Sequence, residues 1–119
     1  MKTFHVVINK SAVADLDNLL DFLKAIMSHK GALRYIETMI SEVQSLSIFA
    51  GLYQPSRSIT LRRIHPQARR MLSHNRRWNY VFHIVGDFVV VDRIIPSKMI
   101  VIWITEIQWA QMFTIQLAV

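Results

Sequence analysis

The run Arg76-Arg77-Trp78-Asn79-Tyr80-Val81-Phe82-His83-Ile84-Val85-Gly86-Asp87-Phe88-Val89-Val90-Val91-Asp92-Arg93-Ile94-Ile95 decides how the chain folds. Aromatic and β-branched residues fill two stretches, Trp78 to Val85 and Phe88 to Ile95. Such residues suit a pleated, half-buried surface. Gly-Asp between them is a tight-turn pair, so the run predicts a β-hairpin. Side chains alternate along a strand, so Tyr80 and Phe82 share one face and Val81 and His83 the other. Pro96-Ser97 ends the second strand.

Working outward toward the N-terminus, Ser73-His74-Asn75 reads as a turn. Ala68 to Leu72 and Ser58 to Ile64 read as short strands or as one strand broken by His65-Pro66. Pro66 argues against a single central strand there. Residues 51–58 read as a loop. Before it, Leu33, Ile36, Ile40, Val43 and Leu46 recur at helical spacing. An earlier stripe of Leu16, Leu20, Leu23 and Met27 predicts another helix, with Ser11 as its N-cap and Gly31 as its break. Thr3 to Asn9 reads as a strand. The order β-α-α-β-β-β defines an α+β class: a helical hairpin packed on a twisted, antiparallel-rich sheet. Residues 1–100 form this domain, and 101–119 are an apolar C-terminal extension of it.

A length of 119 residues fits one domain with a self-sufficient core. Hydrophobic residues at 52% and charged ones at 18% exclude a disordered chain. The sequence has no cysteine, which excludes a disulfide scaffold, a thiolate metal site and a cysteine nucleophile. The first ten residues hold too short an apolar run for a signal peptide. A cytoplasmic protein without cofactor or metal is therefore expected.

The net charge of +6 comes from one window. Residues 57–77 hold seven arginines and no acid, while the rest of the chain is nearly balanced. Arginine's planar fork suits phosphate and carboxylate, so a surface for a polyanion or an acidic partner is expected. The segment from Ile100 to Val119 has Glu106 as its only charge. An acid at the centre of a span costs about 2.5–3.5 kcal/mol on insertion. Thr105, Gln108, Gln111 and Gln116 also lie within it, so no membrane span is expected. Odd positions are mostly apolar there, which favours extended structure and leaves a homodimer contact open.

The hairpin at 76–95, with a basic strand before it and a strand–helix–helix start containing Ser11-Ala12-Val13-Ala14-Asp15-Leu16, resembles the RelE/ParE toxin superfamily. Order and spacing match over about residues 1–100. The resemblance implies the toxin of a type II toxin–antitoxin system, a growth inhibitor neutralised by a cognate antitoxin protein. It also implies one of two targets. ParE-like members inhibit DNA gyrase without catalysis. RelE-like members are metal-independent endoribonucleases that cut mRNA on the ribosome. A non-toxic basic nucleic-acid-binding module is a further alternative.

Carried onto this sequence, the resemblance places Arg69 or Arg70 at the sheet cations and Lys98 at the basic residue after the last strand. Asn79 stands where RelE-like members carry an arginine. No His or Tyr stands at the expected terminal position, which tilts the reading toward the ParE-like mode. His65 and His74 lie among the arginines and are candidate proton-transfer groups, as is His83. The expected partner-binding set is Arg62, Arg63, Arg69, Arg70, Arg76, Arg77, Arg93 and Lys98. Trp78 reads as core or interface rather than as a base-stacking platform.

Overall fold

The computed structural model describes residues 2–97. Its strands are β1 (His5–Ile8), β2 (Arg69–Leu72), β3 (Trp78–Val85) and β4 (Phe88–Pro96). Its helices are α1 (Lys10–Ile26), α2 (His29–Gln44), α3 (Leu46–Phe49) and α4 (Ile59–Ile64), with a 3-10 turn at Ala50–Leu52. The four strands form one sheet in the order β1-β4-β3-β2. β1 runs parallel to β4, and the other pairs are antiparallel. The α+β class and the helical hairpin on an antiparallel-rich sheet are as predicted. Lys98 and the apolar extension lie outside the described residues.

The β3–β4 hairpin forms at Gly86-Asp87. Gly86 has φ +56°, a conformation that the missing Cβ permits without strain. Trp78, Tyr80 and Phe82 point to one face, where they meet Leu16, Leu19 and Leu23 of α1 and Ile36, Met39 and Val43 of α2. Trp78 is fully buried, as the sequence suggests for a core residue. The α1–α2 pair therefore covers one face of the sheet.

Three boundaries differ from the sequence reading. The N-cap of α1 is Asn9, not Ser11: its side chain accepts from the Ala12 N–H at 3.1 Å. The break between helices falls at Met27-Ser28 rather than at Gly31. Ser28 caps α2 by accepting from the Gly31 N–H at 3.0 Å, so Gly31 lies in the first turn. The segment Ser58 to Ile64 is helical instead of extended. Ser58 caps it through the Leu61 N–H, and Leu61 and Ile64, three apart, turn one apolar side inward. Pro66 follows the end of this helix, consistent with its inability to continue one.

α4 buries Leu61 in a second, smaller cluster with Ala68, Val81 and Ile95. Val81 alternates with Tyr80 and Phe82, so this cluster lies on the sheet face opposite α1 and α2. One face is thus covered by two long helices, the other in part by one short helix.

β1 pairs with β4 only as far as Val91. Beyond it, the start of α1 completes the edge of β4. Asn9 N–H donates to the Val91 carbonyl, and Asp15 accepts from the Ile94 N–H at 2.8 Å. Buried backbone donors need such partners. At the same place the β3–β4 register shifts: Val81 faces Arg93 while Phe82 faces Val91. Asp92 is the extra residue of this bulge, and bulges re-aim side chains.

Candidate functional site: the arginine and histidine face of the sheet

Register assigns the predicted residues to faces. Arg70 lies opposite Val81 and so shares the α4 face, whereas Arg69 lies opposite Phe82 on the helix-covered face. Arg69 is part-buried and donates to the Tyr53 carbonyl at 2.6 Å. The two candidate sheet cations are therefore not together. Arg70 is exposed and reaches the Asn79 side-chain oxygen at 3.5 Å. Asn79 is itself fully buried. Its Nδ2 and the Arg69 Nε are both buried donors without a hydrogen-bond acceptor.

Arg62 and Arg63 are exposed on the last turn of α4, where cations complement the negative helix end. Arg62 also donates to the Ser56 carbonyl at 3.2 Å. Arg76 is exposed in the β2–β3 connection and adopts φ +64°, rare for a residue with a Cβ. Side chains hold that loop in shape. Asn75 accepts from the Arg77 N–H, Ser73 accepts from the Trp78 N–H, and the Ser97 hydroxyl donates to the Arg76 carbonyl. Arg93 instead makes a forked pair with buried Asp15, at 2.8 and 3.1 Å. Its charge is paired within the fold.

The histidines separate as well. His74 is exposed, and its backbone N–H binds the Glu42 carboxylate. His65 and His83, eighteen positions apart, stack with ring centroids 3.7 Å apart and planes 4° from parallel. His83 Nδ1 lies 2.6 Å from Asp92 Oδ2. Asp92 is buried by the bulge, and its other oxygen accepts from Asn9 Nδ2 at 3.1 Å. The sequence named both histidines singly. Their meeting depends on α4 being a helix that folds back over β3, and Asp92 as a partner depends on the bulge. Neither has a local sequence signal. Among the described residues, no three His, Asp or Glu side chains are grouped as metal ligands.

The helix-covered face carries its own polar chain. Tyr80 Oη donates to Glu42 at 2.9 Å, and Trp78 Nε1 donates to Tyr35 Oη at 2.9 Å. Burial, together with the Glu42 charge and hydrogen bond, pushes the Tyr80 phenol well above its ordinary pKa. These groups tie α2 to the sheet on the face opposite Arg70.

No family model and no curated protein matches the chain. Among solved structures, a chain of the chromosomal ParDE TA system from P. aeruginosa is similar in fold, with a TM-score of 0.64 and 19% identity. The match covers 77% of this chain and 94% of that one. The likeness establishes a shared fold across nearly the whole of the P. aeruginosa chain.

Proposed function

We propose that the chain is the toxin of a type II toxin–antitoxin pair, acting in the ParE-like manner by binding DNA gyrase without catalysis. The observation that carries this reading is the fold shared with the ParDE chain, joined by the exposure of Arg62, Arg63, Arg70 and Arg76. Arg62, Arg63, Arg70 and Arg76 project from α4, β2 and the β2–β3 loop. They offer forked donors to acidic groups and attract an acidic partner from a distance. A cognate antitoxin rich in acids would neutralise the same surface. The ParE-like mode is favoured because Asn79, not an arginine, occupies the signature position, and it is buried.

The alternative is a metal-independent endonuclease acting on ribosome-bound mRNA. One observation favours it, the His65–His83–Asp92 arrangement beside the arginines. The test is growth after tightly controlled expression of the full chain in bacteria. Wild type should arrest growth. The triple variant Arg62→Ala/Arg63→Ala/Arg70→Ala should be harmless while keeping the wild-type melting temperature. Arrest by a folded triple variant would remove this surface from the mechanism.

A further inference from the structure

The end of the sheet nearest the β3–β4 turn is apolar on both faces. β4 opens with Phe88-Val89-Val90-Val91, β3 closes with Ile84-Val85, and β1 holds Val6-Val7-Ile8. A strand with one solvated face alternates apolar and polar residues, whereas an unbroken apolar run marks a strand covered on both faces. Among the described residues only one cover is in place. Val6, Ile8, Ile84, Val89 and Val91 pack into the core under α1 and α2. The residues between them face the other way.

Pairing register lines those residues up. His5, Phe88 and Val85 form one row across β1, β4 and β3, and Val7, Val90 and His83 form the next. The His5 and Phe88 rings lie 5.5 Å apart, so the first row is in contact across strands. α4 turns its apolar side chains elsewhere: Leu61 and Ile64 pack with Ala68, Val81 and Ile95, toward the other end of the hairpin. Val7, Phe88 and Val85 are left 43, 47 and 55% exposed. Adjoining apolar side chains this open to water mark an interaction surface.

Charge selects the partner. Lys2 and Asp87 stand at the turn 3.5 Å apart, one of each sign. The exposed arginines belong instead to α4, β2 and the β2–β3 loop. An acid-rich partner finds its attraction there and none at the turn. A second copy of the chain fits the turn end better. Its identical patch is equally apolar, and a two-fold contact can set Lys2 of each copy toward Asp87 of the other.

We propose that the face formed by Val7, Val85, Phe88 and Val90 is a contact between two copies of this chain. The proposal does not rest on the toxin reading. The patch is small, on the order of 400 Å² per copy. Specific interfaces of standard size bury about 800 Å² per partner, so the dimer should have a Kd on the order of 10–100 μM. The charge of +6 on each copy opposes association. Added salt should therefore strengthen this contact, the reverse of its effect on an acidic partner bound to the arginines.

The test is sedimentation velocity of the full chain from about 1 to about 200 μM, at about 0.15 and about 0.5 M salt. Wild type should pass from monomer to dimer, and at lower concentration in the higher salt. Val85→Thr/Phe88→Thr keeps a β-branched residue in each strand and should weaken association at least about tenfold at an unchanged melting temperature. The chain has no cysteine, so Phe88→Cys carries a single thiol. A short bismaleimide should couple two such copies. It should not couple copies of Leu72→Cys, whose exposed side chain shares the sheet face at its far end. A monomer throughout the range, with the face left to residues 98–119 or to another protein, overturns the proposal. So does a double variant that associates like wild type, or association that the triple arginine variant removes.

Discussion

The two faces of the sheet are built from the same strands and do opposite work. On one, Trp78, Tyr80 and Phe82 are buried under α1 and α2, and the two polar rings find fixed partners: Tyr80 with Glu42, Trp78 with Tyr35. On the other, Val81 and Ile95 pack with Leu61 of the short α4, beside exposed Arg62, Arg63 and Arg70 and the part-buried pair of His65 and His83. The alternation of side chains along β3 separates the roles residue by residue. Stability comes from the first face. The exposed Arg62, Arg63 and Arg70 belong to the second.

The contrast sets an order of expected effects on stability. Trp78→Ala removes the largest fully buried side chain and its indole hydrogen bond, and should destabilise by about 3–5 kcal/mol in a denaturant titration. Asp15→Ala should cost about 3 kcal/mol, because it strands the part-buried Arg93 guanidinium and leaves the Ile94 N–H without its acceptor. A cost under 1 kcal/mol would mean that the edge of β4 does not depend on α1.

Tyr80→Phe should cost about 1.5–3 kcal/mol at neutral pH, the range for a hydrogen bond to a charged group. The same residue gives the helix-covered face an alkaline limit. The folded phenol binds its proton more tightly than the unfolded one, so its contribution is whole below the ordinary tyrosine range, near about pH 10. It falls as pH rises beyond that, since the unfolded state then releases the proton first. Wild type should lose stability above about pH 10 more steeply than Tyr80→Phe. Equal slopes in alkaline melts would contradict the burial of this phenol. The smallest stability effect belongs to the other face: the triple arginine variant should stay within about 0.5 kcal/mol of wild type, while changing growth inhibition the most.

The two faces also differ in how far the sequence reveals them. The hairpin strands and the helical stripes are periodic, and periodicity reports burial directly, so Tyr80, Phe82, Leu16 and Leu23 are legible as core. The arginine window is legible as charge. Its geometry is not, because pairing register decides that Arg70 faces α4 while Arg69 turns to Tyr53, and no local pattern encodes register. Arg93 reads as an exposed cation until Asp15, far away in the chain, is brought against it. Ile59 to Ile64 is too short for its period to separate helix from strand, and the cap at Ser58 decides the matter. The meeting of His65 with His83 follows from that one helix, and the contact of Asp92 with His83 follows from a single inserted residue in β4.

The most direct measurement is pulse-labelling of DNA and protein synthesis, followed separately after tightly induced expression of the full chain in bacteria. If the chain is a ParE-like toxin, DNA synthesis falls first and protein synthesis follows. Early failure of protein synthesis would contradict the gyrase target and turn attention to His83 and His65. Normal growth, with both syntheses unchanged and the folded protein present, would contradict the toxin reading itself.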